Sequence, residues 1–222
     1  MKISVVRNVL EANDRIAEQN KGLFDQNGVL VINLMSSPGA GKTSLLERTI
    51  EALRDDLAIG VIEGDIQTSQ DAERIAKRGV AVVQINTDGA CHLDANMVRS
   101  TLDRFDLAPL DLLVVENVGN LVCPAEFRVG EDLKAMILSV AEGDDKPSKY
   151  PLMFRESQVL LINKIDLLPH VDCSLDKMVA DSRKINVGLD IFEVSCKTGQ
   201  GLGGWYEWLK AKVKEKKAEI GI

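Results

Sequence analysis

Long apolar runs, an excess of basic charge and a cysteine framework are all missing from this chain, and each absence closes off a class of function. No hydrophobic stretch approaches the ~20 residues needed to cross a bilayer, and Met1 to Asn13 mixes charged with apolar residues instead of forming a signal peptide. The expected location is the cytoplasm, without membrane contact. Lysine and arginine number 27 against 34 aspartates and glutamates, a formal charge of −7. A net negative protein gains nothing electrostatically from phosphate backbones, so no nucleic-acid partner is expected. Four cysteines (Cys91, Cys123, Cys173, Cys196) and two histidines (His92, His170) are spread over 222 residues. Such sparse intracellular thiols fit metal ligation or plain burial better than disulfides. Repeats and low-complexity tracts are absent too.

What remains is a chain with 45% hydrophobic residues, long enough to bury one sizeable core, read as one domain over residues 1–222. Ile3, Val6, Val9, Leu10, Ile16, Leu23 and Phe24 recur at helical intervals before the stop at Asn27-Gly28, so residues 1–27 read as an amino-terminal helical extension, a helix or helix pair. Short Val/Ile/Leu runs then alternate with amphipathic ones. Val29–Met35, Ala58–Ile62, Val80–Ile85, Leu112–Val115, Ala135–Val140, Val159–Ile162 and Ile191–Val194 are predicted strands; 42–54, 69–79, 94–105, 174–186 and 202–219 are predicted helices. Continuously apolar strands belong to a sheet covered on both faces, which makes the expected class α/β with a mostly parallel, helix-flanked sheet. Residues 142–154, broken by Gly143, Asp144, Asp145, Pro147 and Pro151, read as a long surface loop.

Ser36-Ser37-Pro38-Gly39-Ala40-Gly41-Lys42-Thr43-Ser44 lies between a predicted strand and a predicted helix, the context a phosphate-cradling P-loop requires. Gly39 and Gly41 let backbone N–H groups face phosphate, Lys42 reaches the β- and γ-phosphates, and Thr43 offers a hydroxyl to magnesium. Ser36 stands where the general pattern has glycine, so the first turn must accommodate a Cβ. Asn163-Lys164-Ile165-Asp166 follows an apolar strand. A carboxylate at Asp166 can accept from the N1–H and the exocyclic amine of guanine, whereas adenine offers neither donor there. Asn163 and Lys164 would frame the base, together with Ser195-Cys196-Lys197 after the last strand. The chain therefore reads as a P-loop GTPase.

Asp65, in Glu63-Gly64-Asp65, is the candidate second magnesium contact. Glu116-Asn117-Val118-Gly119 resembles the Asp-x-x-Gly switch of GTPases, with Gly119 facing the γ-phosphate and Glu in place of Asp; Glu116 either contacts magnesium through water or positions the attacking water. Lys42, Asp65, Glu116 and Gly119 form the expected catalytic set. No arginine finger or catalytic glutamine is evident, so slow hydrolysis is expected.

Cys91-His92 precedes a predicted helix, and Cys123 stands four residues after Gly119. Thiolate and imidazole suit nickel, zinc or copper, but three ligands fall short of a closed tetrahedral site, and a small buried hydrophobe is an equally open reading of each cysteine. Two copies face to face would supply enough ligands. The strings Ser36–Thr43, Cys91-His92-Leu93-Asp94, Glu116–Pro124, Glu142-Gly143-Asp144-Asp145 and Asn163–Asp166 together resemble the hydrogenase nickel-incorporation GTPases, the HypB family, over nearly the whole chain. The resemblance implies a homodimer formed on GTP binding, with Cys91, His92 and Cys123 ligating nickel or zinc at the subunit interface. It also implies a nickel-delivery partner protein and a hydrogenase large-subunit precursor as acceptor. The cofactors would be GTP or GDP, magnesium, and nickel or zinc. Accessory GTPases of urease or cobalamin enzymes, and a metal-independent regulatory GTPase, are the alternatives; Glu116–Pro124 favours hydrogenase. The amino-terminal Cys-rich or His-rich stretches of many relatives have no counterpart, so nickel storage is not expected. Gly119 and Cys123 lie at most ~14 Å apart along the chain, so switch movement should displace a metal ligand. His170 and Cys173 read as loop residues, Cys196 as a small residue near the base, and the lysines at 210, 212, 214, 216 and 217 as a solvated face.

Overall fold

The computed structural model describes residues 7–66 and 69–221; Ile3 and Val6 lie outside them. A seven-stranded sheet of order β3-β2-β4-β1-β5-β6-β7 runs through the molecule, and every pairing is parallel. Its strands are β1 (Leu30–Ser36), β2 (Ile59–Asp65), β3 (Ala81–Asn86), β4 (Leu112–Glu116), β5 (Leu133–Ser139), β6 (Val159–Asn163) and β7 (Asp190–Glu193). The helices are α1 (Arg7–Asn27), α2 (Lys42–Leu53), α3 (Gln70–Ala76), α4 (Ala95–Arg99), α5 (Cys123–Glu126), α6 (Lys146–Lys149), α7 (Pro151–Glu156), α8 (Leu175–Ile185) and α9 (Leu202–Glu219). This is the expected helix-flanked parallel sheet.

Burial explains the apolar strands: β1, β4 and β6 are buried at every position. On one face α2 and α9 bring Leu45, Ile50, Leu209 and Val213 against Ile32, Val114 and Leu161. On the other, Phe24 of α1 packs with Val31, Leu113 and Val115. Because all strands run the same way, their carboxyl ends share one edge. Ser36, Asp65, Glu116 and Asn163 end their strands there, with β1 at the point where successive connections leave in opposite directions, the place an α/β sheet opens a crevice.

Three local expectations are corrected. The predicted helix over 94–105 stops at Arg99 and continues as a 3₁₀ turn over Leu102–Arg104, because Ser100 Oγ and Thr101 Oγ1 donate back to the Met97 and Val98 carbonyls. Residues 142–154 are not an irregular loop: they contain α6 and the start of α7, each with proline in its first turn, where the missing N–H costs nothing. Lys216 is not solvated but 4% exposed, ion-paired to Asp25 of α1 and to Asp132 at 2.7 Å. It fastens α9 to the amino-terminal helix, whereas Lys210 and Lys212 pair with Glu207 and Glu215 of their own helix, Lys210 also reaching Asp56 at 4.0 Å. Among the described residues no helix is long and apolar enough to cross a membrane.

Candidate functional site

The phosphate loop leaves β1 at Ser36 and turns into α2 at Gly41, with Gly39 and Gly41 at φ 78° and 108°. A Cβ on Gly41 would stand 2.5 Å from Asn163 Nδ2, so this position admits glycine alone. Ser36 is accommodated because its hydroxyl is used: Oγ accepts from Lys42 Nζ at 3.0 Å and donates to the Ser37 carbonyl at 2.6 Å. Ser37 Oγ in turn donates to Glu142, so the turn after β5 braces the loop. Burial draws the Lys42 ammonium below its ordinary pKa, against the opposing pull of Glu116, Glu63, Asp71 and Asp65.

At the base end, Asn163 joins three loops. Its Nδ2 donates to the Ala40 carbonyl at 2.9 Å and its Oδ1 accepts from Cys196 N–H at 3.1 Å. Lys164 adopts a left-handed φ of 63° and donates from Nζ to the Gly39 carbonyl at 2.7 Å. A non-glycine residue in that region carries a cost of order 1 kcal/mol or more, tolerated where surrounding structure demands it. Ser195 Oγ donates to Asp166 Oδ1 at 2.6 Å and accepts from Thr198 N–H, which orients the carboxylate. Between them opens a cavity of about 390 Å³ bounded by Gly41, Ser44, Asn163, Lys164, Asp166, Cys196 and Lys197. Burial pushes the Cys196 thiol up to about 11, so it stays protonated.

Beyond Lys42 lies a second cleft of about 270 Å³ lined by Pro38, Lys42, Glu63, Asp65, Asp71, Glu116 and Gly119, among others. Gly119 packs so closely on Pro38 that a Cβ would meet its backbone at 3.0 Å. Glu63, Asp71 and Glu116 bring carboxylate oxygens within 4.8 Å of one another, and Thr43 Oγ1 donates to Glu116 at 2.9 Å. Glu63 Oε2 and Glu116 Oε2 are buried without hydrogen-bond partners. Burial, then the neighbouring carboxylates, pushes Glu63 up to about 8; burial pushes Glu116 up to about 7. Orphaned buried oxygens beside a threonine hydroxyl are what a hard divalent cation satisfies, so these residues fit magnesium. Arg74 reaches a neighbouring cleft but is ion-paired to Glu47 at 2.5 Å and Asp71 at 2.8 Å.

The soft-ligand cluster assembles from two loops. Cys91 follows a tight turn at Asp88-Gly89, with φ 48° and 99°, and Cys123 opens α5. Cys91 Sγ stands 3.1 Å from Cys123 Sγ and 3.6 Å from His92 Nδ1, and all three residues present ligand atoms within 4.8 Å of one another. Burial lowers the His92 pKa, leaving the neutral imidazole a metal requires, while its ring packs on Phe127 with centroids 4.0 Å apart. The hydrogen bond from Cys91, and then burial, raise the Cys123 thiol. Cys173 is remote from this group and half-buried, and His170 ends a 3₁₀ turn.

The family description "CobW/HypB/UreG, nucleotide-binding domain" matches residues 30–193. A hydrogenase maturation factor HypB of Azotobacter vinelandii is 49% identical over 94% of this chain and 69% of its own length. The chain belongs to the HypB family. The crystal structure of the Archaeoglobus fulgidus HypB superposes with a TM-score of 0.86 at 39% identity, covering 91% of this chain and 99% of that one. The Helicobacter pylori HypB in complex with nickel gives 0.87 at 38%, covering 92% and 96%.

In this chain the structure brings Lys42, Asp65, Glu116 and Gly119 to one cleft, and Thr43 lines the neighbouring one together with Lys42 and Glu116. Asn163, Lys164, Asp166, Cys196 and Lys197 line the cavity beside it. Sequence reasoning passed over Glu63, Asp71 and Glu142. A glutamate inside a strand otherwise buried and apolar signals Glu63, whereas Asp71 sits in an ordinary first helical turn and nothing local marks it.

Proposed function

We propose that this chain is a GTP-hydrolysing nickel carrier for maturation of the hydrogenase large subunit, acting as a nucleotide-dependent dimer. The observation that carries the proposal is the placement of Cys123 at the end of the segment that begins with Glu116 and Gly119, within ligand distance of Cys91 and His92. One ligand of the cargo site and the switch share one stretch of chain. Three soft ligands per chain, with Cys91 exposed, leave room for ligands from a second copy. Ile66 and Val122, exposed at 41% and 51%, offer apolar surface on the same edge.

In this reading the N–H groups of Gly39 to Thr43 and the Lys42 ammonium bind the phosphates, and Asp166 reads the guanine edge. Thr43, Glu63, Asp65, Asp71 and Glu116 supply the oxygen donors for magnesium, which when bound neutralises phosphate charge. Glu116 and Glu63 shed the protons they hold near neutrality as the site fills. Gly119, with no side chain to part it from Pro38, lets the switch backbone close on the phosphate loop. No arginine enters free of carboxylate partners among the described residues lining the cleft, which keeps intrinsic turnover slow.

The test is nickel stoichiometry and affinity with GDP or a non-hydrolysable GTP analogue, with mass measured alongside. Affinity that differs between the two states, with dimer in the GTP state, is the expected result. Equal affinities would remove the equilibrium coupling, and lack of nickel binding would remove the carrier role.

Proton release offers a separate check. The folded values of Glu63 and Glu116, about 8 and 7, lie above the ordinary carboxyl value. Their contribution to stability is therefore full below the ordinary carboxyl value of 4.5, falls as pH rises above it, and is gone above about 8. The nucleotide-free protein should lose thermal stability across that window, and magnesium nucleotide should flatten the loss. Calorimetry in buffers of different ionisation enthalpy should register about one proton released on loading near neutral pH; no release would mean the carboxylates are already ionised.

A further inference from the structure

Asn117 lies between Glu116 and Gly119 and is fully buried. Its Oδ1 accepts from the N–H of Leu93 at 2.9 Å and of Val118 at 3.0 Å, and its Nδ2 donates to Asn33 Oδ1 at 3.0 Å. A buried amide is retained at a desolvation cost that an apolar residue would avoid, so its hydrogen bonds are its reason for being there. One of them crosses from the switch to the residue that follows Cys91-His92. Leu93 is itself fully buried, and its side chain rests on the bare backbone of Gly64, where a Cβ would stand 2.7 Å away. Gly64 separates Glu63 from Asp65. Leu93 is thus held by two of the three segments that carry carboxylates of the phosphate cleft, the ends of β2 and β4.

The far side of this loop is anchored. Ala95 N–H donates to Asn13 Oδ1 of α1 at 2.9 Å, and Asp94 caps α4 through Met97 N–H. With that end fixed, displacement at Leu93 has to be taken up by Cys91 and His92.

We propose that Asn117 is the positioning residue that transmits nucleotide state to Cys91 and His92, with Leu93 as the part it moves. This rests on the nickel-carrier reading above and adds a route independent of the covalent one from Gly119 to Cys123. Both arms of the soft-ligand cluster then follow the switch together, one through the chain and one through a hydrogen bond.

The experiment measures nickel affinity of the full chain, in the GDP state and with a non-hydrolysable GTP analogue, for the wild type, Asn117→Ala and Leu93→Val. The readout is the ratio of the two affinities. A purely structural asparagine would lower the melting temperature and scale both affinities alike, leaving the ratio intact. The expected result is a ratio that falls toward one in Asn117→Ala, a loss of about fivefold or more, with a smaller fall in Leu93→Val, which keeps the hydrogen bond but loosens the contact with Gly64. If Asn117→Ala does not fold, Leu93→Val decides by the same readout. Unchanged ratios in the folded variants overturn the relay while the nickel-carrier reading stands; a wild-type ratio of one overturns the coupling in that reading and the relay with it.

Discussion

Replacing Cys123 with alanine is expected to lower nickel affinity by about two orders of magnitude or more, since even partners outside the ligand set typically cost 10–100-fold in metal affinity. The geometry leaves no substitute: Cys91, His92 and Cys123 are the only cluster of soft ligands among the described residues, and Cys173 and His170 belong to other parts of the fold. Without Cys123 the site keeps one thiol and one imidazole per chain, and a facing copy supplies only the same pair. Equilibrium dialysis or a competing chelator would measure the loss. A variant that folds like the parent and binds nickel equally well would show that the 3.1 Å approach of the two sulfurs is packing, not ligation.

Asp166→Asn is expected to weaken GTP binding by two to four orders of magnitude and to create binding of xanthosine triphosphate, on the scale by which polar sites reject a mismatched analogue. Guanine presents two donors to one carboxylate. Asparagine offers one acceptor and one donor, and xanthine, with a carbonyl in place of the amine, matches that pair. Ser195 Oγ, which holds Asp166 Oδ1 at 2.6 Å, can still donate to an asparagine oxygen, so the side chain should keep its orientation. Competition between the two nucleotides reads the result directly. Retained GTP preference in Asp166→Asn would mean the cavity beside Lys164 does not hold the base through this residue.

Much of this was legible in the chain because the signals are local. A parallel sheet must bury both faces, so β1, β4 and β6 announce themselves as apolar runs whatever their neighbours. The phosphate loop is similarly self-contained: glycines at positive φ, a lysine and a threonine within a few residues of a strand end. Where side chains compete locally with the backbone, as Ser100 and Thr101 do, the apolar pattern overestimated helix length.

Distant pairings were not legible. The lysine run ending α9 looks uniform, yet Lys216 is buried against Asp25 and Asp132 and Lys217 reaches Asp111, while Lys212 stays with Glu215 of its own helix. Asp71 resembles any acidic residue in a helix's first turn until α3 places it against Glu63 and Glu116. Asn117 reads as part of a switch string; that its amide spans to Leu93 depends on β4 ending beside the loop that leaves β3.

The sequence alone therefore made legible the apolar strands, the nucleotide loop, the Asn163–Asp166 string and the sparse cysteines and histidines, because each depends on residue chemistry within a few positions. Tertiary structure decided which of these meet. Strand order β3-β2-β4-β1-β5-β6-β7 brings the ends of β2 and β4 side by side. That adjacency, set by how the sheet closes its core and not by any local spacing, puts Glu63, Asp65 and Glu116 in one cleft and ties the Cys91-His92 loop to the end of β4.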